Sequence, residues 1–379
     1  MDFSLSKQEQ LFLQMIREFA EKEVKPLAAE VDESERFPME TVQKMAKLGI
    51  MGIPFPVELG GAGGSNILYT MAVEELSRVC ATTGVIVSAH TSLCCAPIME
   101  HGTPEQKAKY LPKLASGEWI GAFGLTEPNA GTDASAQQTI AVKEGDHYVL
   151  NGSKIFITNA GYAHVYIIMA MTDKSKGTKG ISAFIVKKDF PGFSVGKKEK
   201  KLGIRGSATC ELIMENCIVP AENLLGQEGK GFGIAMKTLD GGRIGIASQA
   251  LGIAQGAMDE TVKYVKERKQ FGKAIGQFQN TQFQLADLQT KIEAARLLVR
   301  QAAYKKDLKV PYSADAAMAK LFAAETAMEV TTKAVQFHGG YGYTREYPVE
   351  RMMRDAKITE IYEGTSEVQR MVIAANLLK

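Results

Sequence analysis

The sequence predicts an α+β protein of several domains: an N-terminal helical domain, a middle antiparallel β barrel or sandwich, and a C-terminal domain like a four-helix bundle. Three observations lead to this prediction. The chain has 379 residues, more than one ordinary hydrophobic core accommodates. Apolar residues recur with a helical period in the first and last thirds. Between them lie short β-rich runs, so the predicted domains are residues 1–120, 121–230 and 231–379.

The N-terminal domain is predicted to consist of capped helices. Ser6 and Glu9 have the spacing of a capping box, and apolar residues recur at helical intervals after them. Pro38 is suited to begin the next helix and Gly49 to end it. The segment TPEQ, which starts at Thr103, predicts one more capped helix.

The middle domain is predicted from short apolar runs that turn residues separate. These runs cover residues 147–150, 154–158, 165–171, 181–186 and 210–219. Asn151-Gly152 lies between the first two runs and predicts a tight hairpin there. Several short strands joined by turns are typical of a small antiparallel barrel or sandwich.

Long segments rich in Ala, Leu and Ile predict the C-terminal helices. They cover residues 233–266, 280–307 and 314–336, and a last helix is expected from about residue 365. Segments of this length favour an antiparallel bundle.

Charge and composition exclude several classes of function. With 45 Lys and Arg against 43 Asp and Glu, the net charge of +2 argues against nucleic acid as a partner. No apolar run has the length of a membrane span, so membrane insertion is not expected. The five cysteines contain no C-x-x-C and predict free thiols in a reducing compartment. The expected location is the cytoplasm of a prokaryote, or an organellar matrix if a leader has been removed.

The stretch from Gln336 to Arg370 is the first candidate for a functional site. It combines glycines, tyrosines and charges between two helical segments. Glu363 follows apolar residues and Tyr362, and a carboxylate that such neighbours desolvate becomes a usable base near neutral pH. On this stretch alone, an ordinary helix-capping or solvent-facing glutamate is the simpler interpretation.

Most common catalytic motifs are absent from the sequence. It contains no H-E-x-x-H, P-loop, G-x-S-x-G or EF-hand loop, and the five histidines lack metal-ligand spacing. No metal site is therefore predicted. A lone base without metal or triad needs a bound organic cofactor for demanding chemistry.

Four long segments together resemble the signature segments of the acyl-CoA dehydrogenase flavoenzymes. They are GLTEPNAGTDASA (124–136), ERKQFGKAIGQFQ (267–279), QFHGGYGYTREYPVERMMRD (336–355) and IYEGTSEVQR (361–370). The resemblance covers essentially the whole chain in order. LGIRGSATCEL (202–212) and LDGGRIGIASQALGIAQGA (239–257) most resemble the short-chain, or butyryl-CoA, branch.

The resemblance implies oxidation of a fatty acyl-CoA thioester to the trans-2-enoyl-CoA. Glu363 matches the base that removes the α-proton while the β-hydride goes to N5 of FAD. Its own N–H and the flavin ribityl 2′-hydroxyl are implied to polarise the thioester carbonyl. Tyr362 and Gly364 are implied to line the thioester, and Thr132 to contact the substrate.

A second position bears on the identity of the base. Some branches of the family take the base from the position that matches Gly242, which has no side chain to act with. This leaves Glu363 and implies a straight-chain substrate of short or medium length. Asp240 and Arg243 are implied to contact the CoA moiety, although an intrahelical charge pair is an alternative for both.

The resemblance also implies a composite FAD site. Within one chain the implied contacts are Phe123, Leu125, Thr126, Thr132, Phe156, Thr158, Thr365 and Glu367. From a neighbouring subunit they are Arg268, Gln270, Phe271, Gln279, Gln336, Phe337, Gly339 and Gly340. The sequence departs from many relatives by Phe156 in place of tryptophan and Thr132 in place of serine. Packing of Phe156 in the strand core is an alternative.

The implied assembly is a homotetramer, a dimer of dimers, because the FAD site needs two subunits. The implied electron acceptor is an electron-transfer flavoprotein. The reverse reaction, reduction of crotonyl-CoA, stays open because a catalyst accelerates both directions. The alternatives are a different acyl specificity, a flavin oxidase, or a non-catalytic protein that binds FAD or acyl-CoA.

Overall fold

A computed structural model describes residues 5–379 and confirms the order of helices, strands and helices. Both predicted capping boxes are present: Ser6 Oγ accepts the Glu9 N–H at 3.2 Å, and Thr103 Oγ1 accepts the Gln106 N–H at 3.2 Å. The N-terminal helices are α1 (Lys7–Phe19), α2 (Ala28–Glu33), α3 (Met39–Lys47), α4 (Asn66–Val79), α5 (Ala81–Ser88), α6 (Ala96–His101) and α7 (Pro104–Ala115).

A π-helical segment, Ala89–Cys95, joins α5 to α6. The expectation that no apolar run has the length of a membrane span is wrong for Ala81–His101, which within residues 5–379 is long and apolar enough to cross a membrane. However, 89% of its most apolar window is buried inside the fold. His90 shows how it is anchored, because its Nδ1 accepts the Gly121 N–H at 3.0 Å and its Nε2 contacts Leu114 O at 3.0 Å. This stretch is therefore a core element between α7 and the sheet. All five cysteines are free and buried, as predicted.

Eight strands form one sheet in the order β6-β7-β3-β2-β4-β5-β8, with β1 paired to β4. Most pairs are antiparallel, but β1–β4 and β2–β4 are parallel. The strands are β1 (Gly121–Gly124), β2 (Ile140–Glu144), β3 (His147–Ile157), β4 (Val165–Met171), β5 (Ile181–Lys187), β6 (Phe193–Lys198), β7 (Cys210–Pro220) and β8 (Leu224–Leu225).

The sheet curls around its own core, as the predicted barrel or sandwich requires. Tyr166 on β4 packs against Phe193 on the edge strand β6, with ring centroids 4.7 Å apart. These two strands are four positions apart in the sheet, so their side chains can meet only across a shared interior. On β4, alternate residues face this interior or the helices, which explains why the whole strand is buried.

The predicted hairpin at Asn151-Gly152 is wrong. Strand β3 runs straight through both residues, and its pairing with β7 shifts register between Leu150 and Gly152. Gly152 has φ 146°, and a Cβ there would lie 2.7 Å from Thr139 Cα. The glycine therefore serves a β-bulge, and the hairpin turn lies between β2 and β3 instead.

The C-terminal helices begin and end within about two residues of the prediction. Their packing centres on α8, which contacts α4, α5, α9 and α10. Close contact with α4 requires glycine on α8: a Cβ at Gly256 would lie 2.9 Å from the carbonyl carbon of Arg78. The elements are α8 (Gly231–Glu267), β9 (Lys269–Gln270), β10 (Lys273–Ala274), α9 (Gln279–Asp307), α10 (Ser313–His338), α11 (Val349–Lys357) and α12 (Ser366–Leu377). The division into folding domains at residues 120 and 230 stays a prediction.

Candidate active site

Glu363 lies in a tight turn immediately before α12. It adopts φ 52°, in the left-handed region that non-glycine residues rarely occupy, and Gly364 follows with φ 93°. Such a conformation persists only where surrounding contacts enforce it, and it is often found at functional sites.

Two buried side chains enforce this conformation. Lys320 on α10 donates from Nζ to the Gly364 carbonyl at 2.7 Å. Gln369 on α12 donates from Nε2 to the Gly364 carbonyl at 2.8 Å and to the Glu363 carbonyl at 3.2 Å. Both side chains are fully buried. The Gly364 carbonyl is thus held from both sides, and the Glu363 carbonyl is held by Gln369.

The Glu363 side chain is suited to act as a base. The residue as a whole is only partly buried, but its Oε2 atom is enclosed and has no hydrogen-bond partner within residues 5–379. Burial raises the pKa of Glu363 to about 8, and the nearby charges of Lys320 and Arg243 oppose this increase. A carboxylate without hydrogen-bond partners is a stronger proton acceptor than a solvated one.

Gly242 on α8 lies directly against this carboxyl group. A Cβ at position 242 would lie 2.9 Å from Glu363 Cδ and 2.7 Å from Leu93 Cδ2. The two positions that the resemblance implies as alternative sources of the base therefore face the same point. Only a glycine at 242 leaves space for Glu363 in the conformation observed.

Substitution Gly242→Ala should lower activity by about 5- to 150-fold, because the added methyl displaces the Glu363 carboxyl group at a cost of about 1–3 kcal/mol. Turnover of butyryl-CoA, the substrate that the resemblance implies, measures this. Gly233→Ala on the same helix is the matched control, since a Cβ there meets nothing within 4 Å. Equal activity of both variants would contradict the packing described.

Asp240 and Arg243 form the intrahelical pair considered above. Arg243 Nη1 donates to Asp240 Oδ1 at 2.5 Å, and Ser313 Oγ donates to the same oxygen at 2.9 Å. Arg243 is buried, and its Nε has no partner in the described part of the chain. The pair leaves this donor available, so contact with CoA stays a prediction. Tyr362 is fixed nearby, with its hydroxyl donating to Gln249 Oε1.

The predicted flavin contacts on the sheet surround a second bulge in β3. Phe156 has φ 60°, and the β3–β7 register shifts between Lys154 and Ile157. Its side chain is 60% exposed, so the alternative of core packing is wrong. Thr158 follows it and is partly buried, whereas Phe123 and Leu125 are buried. An exposed aromatic ring at a strained position is typical of a ligand-binding surface.

A buried ion pair holds the loop that contains Thr126 and Thr132. Lys154 on β3 donates to Glu127 Oε1 at 2.7 Å and to the Leu125 carbonyl at 3.1 Å. Glu127 also accepts the N–H groups of Gln138 and Thr139, at 2.5 and 3.0 Å. The bonds to Lys154 and these N–H groups keep the pKa of Glu127 below its usual value, against the effect of burial. The pair therefore connects both ends of the loop to β3.

Several residues of this chain are expected to contact the FAD of a neighbouring subunit. Five of them line one cavity of about 550 Å³ at the end of α10. Tyr264 and His338 stack in its wall, with ring centroids 4.2 Å apart. His338 Nε2 is buried without a partner among residues 5–379. The predicted residues that line the cavity are Arg268, Gln270, Phe337, Gly339 and Gly340.

The remaining predicted residues are placed outside that cavity lining. Phe271 is 93% exposed with φ 52°, and Gln279 and Gln336 are also exposed. Thr365 caps α12, because its Oγ1 accepts the Val368 N–H at 3.3 Å, and Glu367 lies exposed in the first turn. A role of these residues toward FAD stays a prediction.

Sequence reasoning missed five polar residues that shape the site. They are Glu127, Lys154, Gln249, Lys320 and Gln369. A signal exists for the two lysines, because the neighbouring buried positions around each of them are apolar. The glutamine contacts depend on tertiary packing and leave no local pattern.

Three segments that span nearly the whole chain match the parts of one protein family. Residues 6–118 match "Acyl-CoA dehydrogenase, N-terminal domain", residues 122–217 match the middle domain, and residues 229–378 match the C-terminal domain. Over 379 residues the chain is 67% identical to "Acyl-CoA dehydrogenase, short-chain specific" of Clostridium acetobutylicum, and each protein is covered completely.

Two solved structures also match the chain over its whole length. Butyryl-CoA dehydrogenase from Megasphaera elsdenii superposes with a TM-score of 0.98 at 55% identity, with 100% of both chains covered. A chain from a structural study of the electron transferring flavoprotein of Acidaminococcus fermentans and flavin-based electron bifurcation gives 0.99 at 58% identity, also with 100% coverage of both chains.

Proposed function

The chain belongs to the acyl-CoA dehydrogenase family, and on that premise we propose that it oxidises a short-chain acyl-CoA, butyryl-CoA, to the trans-2-enoyl-CoA. The observation that carries the proposal is the Glu363 carboxyl group, with Oε2 enclosed and without a partner in residues 5–379. The similarity to a butyryl-CoA dehydrogenase supports the choice of substrate.

In the proposed reaction Glu363 removes the α-proton of the thioester. An α-proton is too weakly acidic for a carboxylate unless the carbonyl is polarised as charge develops on it. The Glu363 N–H is suited to this task, because it makes no hydrogen bond to the described part of the chain. FAD, when bound, supplies the acceptor for the β-hydride. Tyr362 and Gly364 flank the base and line the thioester.

The residues present fit an FAD molecule shared between subunits. Phe156 offers an exposed ring at the sheet, and the cavity at the end of α10 offers Arg268 together with exposed backbone at Gly339 and Gly340. Arg268 supplies a positive charge suited to a pyrophosphate. We assign the cavity to the FAD of a neighbouring protomer, which makes a homotetramer, a dimer of dimers, the functional unit.

Substitution Gly340→Val should weaken FAD binding at least about tenfold without unfolding the apoprotein. A Cβ at Gly340 meets no atom of its own chain within 4 Å, so the added side chain obstructs only what binds there. Titration of apoprotein with FAD measures the affinity, and Gly233→Val, also free of contacts, is the control. A variant that binds FAD as tightly as wild type would contradict the placement of the cofactor.

Asp240, Arg243 and Thr132 are proposed to bind the rest of the substrate. Arg243 is the stronger candidate, because its Nε is buried and lacks a partner within residues 5–379. An unsatisfied buried donor is costly and is explained if a ligand accepts from it.

Electrons are proposed to leave through an electron-transfer flavoprotein in the cytoplasm. The relative from the study of such a flavoprotein supports this partner, and the similar proteins described above are bacterial. The same site can reduce crotonyl-CoA when the electron supply favours it.

Turnover across a panel of acyl-CoA thioesters tests the proposal. We expect butyryl-CoA to give the highest kcat/KM, above hexanoyl-, isovaleryl- and glutaryl-CoA. Fastest turnover of a branched or dicarboxylic thioester would overturn the substrate assignment. Peroxide formation at the rate of turnover would indicate an oxidase, and FAD binding without any turnover would indicate a binding protein.

A further inference from the structure

We propose that Lys320 is a positioning residue: its buried ammonium group fixes the Glu363 turn through the Gly364 carbonyl and stabilises the ionised Glu363 carboxylate. This inference rests on the proposed role of Glu363 as the base. Lys320 lies on α10, more than forty positions before the turn in sequence, and contacts it directly by the 2.7 Å bond from Nζ to Gly364 O.

The position of Lys320 is unusual for a lysine. Its side chain is fully buried, and neighbours on the same helix, Ala316, Ala319, Ala323 and Ala324, are fully buried as well. Burial of an ammonium group is costly unless charges or hydrogen bonds compensate for it. Lys320 makes no salt bridge within residues 5–379, and one backbone carbonyl compensates only in part. The nearby carboxylates compensate further but not fully, because burial still lowers the pKa of Lys320 to about 8. Near pH 7 most of the side chain is therefore still in the ammonium form.

The charged groups around Lys320 indicate that Glu363 is its main electrostatic partner. Among the surrounding charges, that of Glu363 raises the pKa of Lys320 the most. The charges of Glu360 and Glu367 raise it less, and the charge of Arg243 lowers it. Burial raises the pKa of Glu363. The positive charge of Lys320 opposes this increase more strongly than the charge of Arg243 does. A fixed charge next to a carboxyl group changes the fraction that is ionised at a given pH.

The geometry of the turn explains why a hydrogen bond is needed as well as a charge. Glu363 and Gly364 both adopt positive φ. This conformation is unfavourable for Glu363, because it is not a glycine. Lys320 and Gln369 converge on the same Gly364 carbonyl, at 2.7 and 2.8 Å. With this carbonyl fixed from two sides, the side chain of Glu363 points to Gly242 and its N–H stays free for the substrate.

Other titratable groups near Glu363 do not compete for this role. Arg243 on α8 is paired with Asp240. Burial raises the pKa of Tyr69 on α4 to about 12, and burial also raises the pKa of Tyr362. Both hydroxyls therefore stay neutral near pH 8. Lys320 and Arg243 are thus the cations that lower the pKa of Glu363, and Lys320 has the larger effect.

The test combines Lys320→Met, which removes donor and charge, with Lys320→Gln, which keeps a donor only. The first readout is the infrared absorption of the protonated Glu363 carboxyl group against pH, assigned by its loss in Glu363→Gln. The second is the pH profile of flavin reduction by butyryl-CoA. We expect the midpoint of both to rise by about one pKa unit in both variants, with about tenfold slower reduction at pH 7. Lys333→Met, on the same helix, should leave both unchanged.

The outcomes separate this inference from the proposed function. Midpoints equal to wild type in both Lys320 variants would overturn the inference, even if Glu363→Gln abolishes reduction. A shifted infrared midpoint would support it, even if butyryl-CoA proves to be the wrong substrate. If Lys320→Met fails to fold, Lys320→Gln alone decides, because it retains an N–H donor and lacks the charge.

Discussion

Substitution Glu363→Gln should reduce turnover of butyryl-CoA on the order of 10⁴-fold, at the upper end of what a positioned general base contributes. The amide has the shape of the carboxyl group but cannot accept the α-proton. The enclosed Oε2 has no hydrogen-bond partner within residues 5–379, so the change leaves no previously paired group unsatisfied. Binding of FAD and butyryl-CoA, measured by titration, should stay close to wild type.

Glu360→Gln is the matched control for that substitution. Glu360 lies three residues earlier and pairs with Lys357 at 2.7 Å near the surface. Its replacement should leave turnover within about twofold of wild type. If the Glu363 variant retained more than about 1% of wild-type activity with intact binding, the assignment of the base would be wrong.

The same substitution, Glu363→Gln, should lower turnover but raise the stability of the fold. The pKa of Glu363 rises from 4.5 to about 8 on folding, so the unfolded chain releases this proton at lower pH than the folded one. Above pH 4.5 the residue therefore opposes folding, increasingly so up to about pH 8. Glu363→Gln should melt at a higher temperature than wild type at pH 8, and the difference should vanish toward pH 4.5. A lower melting temperature at pH 8 would contradict this sign.

Substitution Lys154→Met should destabilise the protein on the order of 3–5 kcal/mol, because it leaves the Glu127 carboxylate buried without its cation. Lys154 is fully buried and bonds to Glu127, Gln137 and the Leu125 carbonyl. The loop that carries Thr126 and Thr132 should loosen with it, so FAD binding is also expected to weaken. Denaturant unfolding and FAD titration measure the two effects.

Two further variants calibrate that result. The double variant Lys154→Met with Glu127→Gln should recover part of the lost stability, since no unpaired charge remains buried. Lys109→Met disrupts an exposed pair, Lys109–Glu222 at 2.8 Å, and should cost less than about 1 kcal/mol. Equal losses in Lys154→Met and Lys109→Met would contradict the importance of burial.

The fold was predictable where local patterns and tertiary packing agree. The long helices α8, α9 and α10 follow their Ala, Leu and Ile periodicity to within about two residues, because those residues form one shared core. The prediction of a hairpin at Asn151-Gly152 is wrong, because a glycine that permits a turn also permits a β-bulge. Which of the two forms depends on the partner strand β7, far away in sequence.

The site was predictable through resemblance rather than through local physics. Glu363 alone is an ordinary glutamate in sequence; its enclosure by Gly242 and Leu93 exists only in the folded chain. Phe156 shows the same limit, since a phenylalanine in a strand is expected in the core, yet a bulge turns it outward. Lys154 and Lys320 are the exceptions, because a lysine among apolar residues on one face of a strand or helix leaves a pattern in the sequence.

The most direct test is anaerobic mixing of the purified protein with excess butyryl-CoA while the visible flavin absorption is followed. The account predicts that the oxidised flavin band bleaches in a single turnover with wild type and stays unchanged with Glu363→Gln. A yellow wild-type protein that stays oxidised with butyryl-CoA, or a Glu363→Gln variant that bleaches as fast as wild type, would contradict it.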